Sequence, residues 1–256
     1  MRIANWKDYE LIDAACGERL ERWGDVILIR PDPQIIWETK RESPLWQRAH
    51  ARYIRSTSGG GHWQIYKEHP NLWELHYKAL SFQIRPMGFK HTGIFPEQAV
   101  NWDFVSDKIR QSKKQMNILN LFAYTGGATL ACLHAGAKVC HVDASKGMVQ
   151  WAKENAVLSH LQDRPVRWLV DDCIKFVQKE KRRGRQYDGI IMDPPSYGRG
   201  PGGEIWKLEE QLYSLCGLCS SVLSPNAKFF ILKYYTTGLS PAVVQYVLGV
   251  TLQKRF

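Results

Sequence analysis

Four apolar runs in series, each ending on a small or acidic residue, constrain this chain more than anything else in it. Ile118-Leu119-Asn120-Leu121-Phe122 leads into the turn Ala123-Tyr124-Thr125-Gly126-Gly127, and a helix-compatible segment follows. Val139-Cys140-His141-Val142-Asp143 ends in a carboxylate sixteen residues after Gly127. Trp168-Leu169-Val170-Asp171-Asp172 ends in two carboxylates, and Tyr187 to Met192 runs into Asp193-Pro194-Pro195-Ser196-Tyr197. Near-continuous apolar strands alternating with helical segments predict a parallel sheet covered on both faces, the α/β class. A strand, tight turn and helix start expose backbone N–H groups to a ligand. An acid closing the second strand is placed to accept the two hydroxyls of a ribose. The series therefore predicts a nucleoside cofactor site at the strand ends, with Asp143 and the loop before Gly127 among its residues. The competing role for Asp143 is a helix cap, because Asp143-Ala144-Ser145 precedes a helical segment.

These residues resemble the class I S-adenosylmethionine-dependent methyltransferases, and within them the branch of large-subunit ribosomal RNA methyltransferases of the cytosine-C5 and guanine-N7 types. Asn120-Leu121-Phe122-Ala123-Tyr124-Thr125-Gly126-Gly127 is similar to that branch's first motif, and Asp193-Pro194-Pro195-Ser196-Tyr197 to its fourth. Lys90 to Gln98, Lys-His-Thr-Gly-Ile-Phe-Pro-Glu-Gln, resembles its cofactor-flanking segment. The resemblance implies a Rossmann-like fold and S-adenosyl-L-methionine as cofactor. It implies contacts from Phe95, Gln98, Asn120, Phe122, Ala123, Tyr124, Thr125, Gly126, Asp143, Ala144, Asp171, Asp172 and Cys173. It also implies that Asp193 and the Pro194 carbonyl hold the acceptor while Tyr197 packs on its plane. Asn120 stands where related families carry a carboxylate, and Tyr124 where they carry a glycine, which makes the turn less permissive. The amino-methylating pattern has its aromatic fourth; here Ser196 is fourth and Tyr197 fifth, so a rigid loop supporting the cofactor is the competing role. Cytosine-C5 relatives keep a nucleophilic cysteine after the last central strand. Lys233-Tyr234-Tyr235-Thr236-Thr237-Gly238 has none, so direct transfer to a nitrogen, amine or oxygen is expected. The same branch ends in an antiparallel strand pair, for which no segment follows Pro241–Leu252.

Formal charge sets the partner class. The net charge is +10; residues 1–100 hold 14 basic and 12 acidic side chains, and residues 101–256 the remaining 21 and 13. The excess lies on the cofactor-binding half, which favours a polyanion such as RNA. Methylation of a protein or small molecule, or an RNA-binding relative without turnover, are the alternatives. Lys179 to Arg185 is a basic run that also suits a helix C-terminus, and Arg199 in the glycine-rich stretch 198–203 is a candidate phosphate contact in a mobile substrate loop.

The organisation expected is a small α+β domain over residues 1–100 and a methyltransferase domain over 101–256. In the first, Val26–Arg30 reads as a strand, Pro31-Asp32-Pro33 as a turn, and Ile35–Arg55 as a helix broken by Pro44. Ser56–Gly61 reads as a loop, and Trp73–Tyr77 and Leu80–Pro86 as paired strands. Seven of the ten tryptophans precede residue 103, and their expected role is to fill a small core. In the second, helices are expected at Ala128–Ala135, Ser145–Leu158, Asp172–Arg182, Trp206–Leu223 and Pro241–Leu252. No apolar stretch approaches the ~20 residues a membrane helix needs, and no signal core opens the chain, so a cytoplasmic protein without a membrane partner is expected. Cys216 and Cys219 form a C-x-x-C in an apolar helix with no second pair or histidine couple, so no metal is expected. Nothing in the sequence bears on oligomeric state.

Overall fold

A computed structural model describes residues 3–56, 60–199, 205–236 and 238–253. The chain forms two compact units, Met1–Val100 and Asn101–Phe256.

The first unit is built on strands. β1 (Tyr9–Ala15), β2 (Glu18–Trp23), β3 (Val26–Pro31), β4 (Ala51–Arg55) and β5 (Gly61–Ile65) form one sheet in chain order, antiparallel except for the parallel β3–β4 pair. β6 (Trp73–Tyr77) and β7 (Leu80–Ile84) pair antiparallel, as their alternation predicts. The helix expected over Ile35–Arg55 is not there. Pro44–Arg48 makes a short 3-10 turn capped by Ser43, and Ala51–Arg55 is β4. The helix-like spacing of Trp46, Ala49 and Tyr53 arises because Trp46 and Ala49 close a small core over Ala15, Leu20 and Ile29. Arg30 and Glu21 are both buried and joined by two bonds of 2.6 and 2.8 Å, with Tyr9 donating to Glu21 at 2.8 Å. Thr57, Ser58 and Gly59 of the expected loop lie outside the described residues.

The second unit opens with α1 (Ala99–Arg110) and then alternates strand and helix. Its elements are β8 (Asn117–Leu121), α2 (Gly127–His134), β9 (Lys138–Asp143), α3 (Lys146–Leu158), β10 (Val166–Val170), α4 (Cys173–Arg182) and β11 (Gly189–Met192). A two-stranded hairpin, β12 (Tyr197–Arg199) with β13 (Ile205–Lys207), precedes α5 (Leu208–Ser220), β14 (Phe229–Leu232) and α6 (Pro241–Leu252). The order β10-β9-β8-β11-β14 is parallel throughout. This is the parallel sheet predicted from the apolar runs, in the Rossmann-like form the resemblance implies; among the described residues no strand follows α6.

Strand alternation assigns the two faces. Leu119, Leu121, Cys140, Val142, Ile190 and Met192 pack with α4, α5 and α6 in one buried core. Asn120 and His141 fall on the other face, against α2. Cys216 and Cys219 are fully buried in the first core. Among the described residues no group of three His, Cys, Asp or Glu is placed to hold a metal ion, and no helix is long and apolar enough to cross a membrane.

Candidate functional site

Chain order reverses at β8, whose neighbours are β9 on one side and β11 on the other. In an open parallel sheet, that reversal opens a crevice outside the carboxyl ends of the strands. The predicted residues of the second unit follow those ends: Phe122–Gly126 after β8, Asp143 and Ala144 at β9, Asp171–Cys173 after β10, and Asp193–Tyr197 after β11.

The loop after β8 has an unusual backbone. Phe122, Tyr124 and Gly126 have φ of +52°, +51° and +88°. Left-handed conformations at Phe and Tyr cost roughly 1–2 kcal/mol each, and such strain persists only where its surroundings over-determine it. The bonds that do so are explicit. Phe122 N–H meets the Cys173 thiol at 3.3 Å, and Ala123 N–H donates to the Val142 carbonyl at 3.1 Å. Tyr124 N–H donates to Asp143 Oδ2 at 2.9 Å, and Asn155 Nδ2 donates to the Thr125 carbonyl at 3.0 Å. The glycines are required on steric grounds. A Cβ on Gly126 would lie 3.0 Å from Ala152 Cβ, and one on Gly127 would lie 2.5 Å from the Trp102 ring.

Asp143 is half-buried at the end of β9. Its Oδ1 accepts Ser145 N–H at 2.9 Å and its Oδ2 accepts Tyr124 N–H. Each oxygen thus keeps a second lone-pair direction for another donor. Burial holds its carboxyl above the usual range, against the lowering effect of the two N–H bonds. The helix-cap role goes to Ser145, which accepts Met148 N–H at 3.4 Å. Asp172 does cap a helix: its Oδ1 accepts Lys175 N–H at 2.8 Å at the start of α4. Asp171 is paired with Lys179 at 2.7 Å. Cys173 is buried, its thiol pushed up by desolvation, and it ties the β8 loop to the end of β9 through Phe122 N–H and the Val142 carbonyl. Ala144 is exposed.

Asn120 is 4% exposed, within β8. Its Nδ2 donates to Thr129 Oγ1 at 2.9 Å, and Thr129 Oγ1 lies 3.0 Å from His141 Nδ1. Desolvation pushes the His141 pKa down to about 3, so the imidazole is neutral. Sequence patterning shows each of these polar residues inside an apolar run but not that they form one network under the loop.

At β11 the carboxylate of Asp193 is half-buried and lies 3.2 Å from Lys233 Nζ, which follows β14. Lys233 is the functional candidate that sequence reasoning passed over; its signal is a lone cation closing an apolar strand beside an acid-ended one. The turn after Asp193 is built rather than loose. Ser196 Oγ donates to the Tyr235 carbonyl, Trp206 Nε1 donates to the Pro195 carbonyl at 2.6 Å, and Leu208 N–H donates to the Ser196 carbonyl at 3.0 Å. Tyr197 is 53% exposed on β12. The stretch expected as a mobile loop begins in β12; Gly200 to Gly203 and the Arg199 side chain lie outside the described residues. Thr236, near the position of the cysteine in C5 relatives, donates its hydroxyl to Glu209 at 2.6 Å. Thr237 lies outside the described residues.

Phe95 and Gln98 belong to the first unit. Phe95 caps the 3-10 turn Pro96–Gln98, its ring 5.0 Å from that of His91, and its carbonyl accepts Gln98 N–H at 3.0 Å.

A sheet whose chain order reverses at β8, a strained loop held by its own hydrogen bonds, and an acid at the second strand end are the features of a Rossmann-like fold. Residues 43–209 match the family described as S-adenosylmethionine-dependent methyltransferase, and the chain belongs to that family. A solved S-adenosylmethionine-dependent methyltransferase from Agrobacterium tumefaciens is 37% identical, with a TM-score of 0.92 over 98% of this chain and 80% of its own. The ribosomal RNA large subunit methyltransferase K/L of Pseudoalteromonas atlantica is 31% identical over 249 residues, 89% of this chain and 34% of that protein. Its counterpart in Shewanella frigidimarina is 32% identical over 149 residues, 57% of this chain and 20% of that protein. The chain thus spans a fifth to a third of the curated relatives' length.

The family is one of S-adenosylmethionine-dependent methyltransferases. The residues present fit that cofactor. The half-buried Asp143 carboxylate retains acceptor capacity on both oxygens for a pair of hydroxyls, and the loop beside it is held in place by its own hydrogen bonds.

Proposed function

We propose that the enzyme methylates RNA, in particular a base nitrogen or exocyclic amine of large-subunit ribosomal RNA, by direct transfer in the cytoplasm. One observation carries the chemistry: the Asp193–Lys233 pair stands at the reversal-point crevice, on a turn braced by Ser196 and Trp206. The charge excess of residues 101–256 and the names of the curated relatives support RNA as acceptor.

When bound, the cofactor supplies the electrophilic methyl group; the chain's residues position the acceptor and exclude water. In this reading Asp143 takes the ribose hydroxyls, Asp172 or Asp171 meets the adenine, and the backbone of Phe122–Gly126 with Ala144 and Cys173 completes the cofactor contacts. Asn120 acts from beneath, through Thr129. Asp193 accepts an acceptor N–H, the Pro194 carbonyl accepts a second, and Tyr197 packs on a base swung out of its stack. Lys233 keeps the Asp193 charge compensated until that N–H arrives.

Covalent catalysis through a cysteine of the second unit lacks support. Cys132, Cys140, Cys173, Cys216 and Cys219 are buried, and desolvation raises every one of their thiol pKa values; the exposed Cys16 belongs to the first unit, between β1 and β2. The test is to incubate the protein with methyl-labelled cofactor and total RNA or total protein, with and without nuclease. Label in nuclease-sensitive ribosomal RNA is expected. Label confined to protein or to small molecules would overturn the acceptor, and no label with cofactor still bound would leave an RNA-binding relative without turnover.

A further inference from the structure

A second cavity, of about 390 Å³, lies at the opposite end of the sheet from the cofactor crevice. It is lined by Asn117, Lys138 and Val166, the first residues of β8, β9 and β10. Five residues of strand separate it from the carboxyl ends, about 16 Å. Lys138, Arg167 and Arg185 converge on it from β9, β10 and the segment before β11.

That convergence is not explained by the α4 dipole. The dipole accounts for Lys179, Lys181 and Arg182 in the last turn of α4. It does not account for Lys138 and Arg167, which are on strands. Arg167 pairs with Cys140 in register across β10 and β9, and alternation puts Lys138 on the same face as Cys140. The local anion is already shared. Buried Glu180 accepts Arg183 at 3.0 Å, Arg167 at 3.4 Å and the Tyr187 hydroxyl at 2.6 Å. Among the described residues neither Lys138 nor Arg185 has a carboxylate within ion-pair distance. Three cations with one shared counter-charge repel one another unless an anion joins them. Val139, Pro165 and Tyr187 add apolar wall to the same cavity, and its volume falls in the range of small-molecule sites.

We propose that this cleft binds a nucleotide phosphate, with Lys138, Arg167 and Arg185 on the phosphate and the apolar wall beside the sugar or base. The phosphate can come from an RNA strand or from a free nucleotide. The proposal does not depend on which molecule accepts the methyl group.

The experiment compares wild type with Arg185→Glu and Lys138→Glu, and with Lys153→Glu, an equal charge change on exposed α3 outside the cleft. One arm measures fluorescence anisotropy of a labelled single-stranded oligouridine across salt concentrations. The other measures uridine monophosphate binding by NMR titration. Melting temperature and affinity for S-adenosylhomocysteine serve as fold controls, and Arg185→Ala replaces Arg185→Glu should the latter unfold. If strand phosphates occupy the cleft, both cleft variants weaken oligouridine binding at least fivefold more than Lys153→Glu, with a salt slope shallower by about 0.7 per lost contact. If a free nucleotide occupies it, uridine monophosphate shifts wild type and Lys153→Glu but not the cleft variants. Cleft variants indistinguishable from Lys153→Glu in both arms, or no binding of either probe to wild type, would overturn the proposal.

Discussion

Replacing Asp143 by alanine separates the ribose role from a purely structural one. In the folded chain Asp143 accepts two backbone N–H groups at 2.9 Å each, from Tyr124 and Ser145. Ser145 N–H is at an exposed residue and can turn to water, but Tyr124 N–H sits in the half-buried loop. An unsatisfied buried donor costs about 1–3 kcal/mol. Part of that is offset, because burial disfavours the charge the alanine removes. Asp143→Ala is therefore expected to melt slightly lower and to remain folded. Binding loses more: hydrogen bonds from a ribose to a carboxylate are worth about 1.5–3 kcal/mol, which is roughly a 10- to 150-fold rise in Kd. Titration calorimetry with S-adenosylhomocysteine reads this directly. A pH series adds a second readout. The folded carboxyl is raised, so what it contributes to the stability of the unbound fold is present below its unfolded value and lost as pH rises through its folded value. Cofactor binding has the opposite sign, since the hydroxyls need the ionised form. Affinity should fall on acidification from above the usual carboxylate range, and that limb should vanish in Asp143→Asn. Wild-type affinity in a folded Asp143→Ala protein would refute the ribose assignment.

Asp193→Ala should abolish methyl transfer to RNA while leaving S-adenosylhomocysteine affinity unchanged; lost cofactor binding would move Asp193 out of the acceptor site. RNA carrying 5-fluorocytosine should form no denaturation-resistant complex with the enzyme, and a complex lost on replacing one cysteine would show a covalent mechanism. His141→Phe should flatten the acid side of the stability curve. The folded pKa of His141 is pushed down to about 3, so the stability it contributes is present above pH ~6.5 and lost as pH falls toward 3; denaturant titrations should show wild type losing about 2 kcal/mol more than the variant between pH 7 and 5, and parallel curves would contradict a buried neutral imidazole. Gly126→Ala, at φ +88° with Ala152 Cβ 3.0 Å from the added methyl, should cost about 1–3 kcal/mol and lower the melting temperature by several degrees; an unchanged melting curve would mean the loop is not held as described.

The parallel sheet was legible because its inner strands β8 and β11 and their neighbour β9 are buried on both faces, and such strands read as unbroken apolar runs. α6 was legible to the residue because Ser240 caps it and Pro241 opens it. The first unit was harder for a physical reason. β3 read as a strand, but β2 carries Glu21 inside the core, where Arg30 of β3 satisfies it, so in β2 the apolar alternation that marks a strand is interrupted by charge. β12 and β13 are three residues each, too short for any periodicity to show, and rest on the Trp206–Pro195 bond. At the site, spacing picked out Asp143, Asp172 and Asp193 as acids at strand ends. It could not tell that Asp172 spends one oxygen capping α4, or that Lys233 meets Asp193 from a strand forty residues away in sequence.

The internal bonding of the cofactor loop has a consequence for how this enzyme divides stability from binding. Left-handed φ at Phe122 and Tyr124 would relax in a free peptide, yet each is flanked by an N–H bonded to a group outside the loop, Cys173 on α4 and Asp143 on β9. Asn155 on α3 takes the Thr125 carbonyl, and the Asn120–Thr129–His141 network fixes α2 against β8 and β9 beneath. Three helices and two strands thus hold five residues of loop. Binding a ligand to a loop already held costs little ordering entropy, so more of the contact energy appears as affinity. The same arrangement makes residues that never touch the cofactor matter to it. Asn155 and Thr129 are wholly buried; Asn155 bonds the loop at the Thr125 carbonyl, and Thr129 bonds Asn120 and His141 beneath it. Losing either leaves a buried polar atom without its partner, at roughly 1–3 kcal/mol, and that cost falls on the loop geometry from which Asp143 is presented.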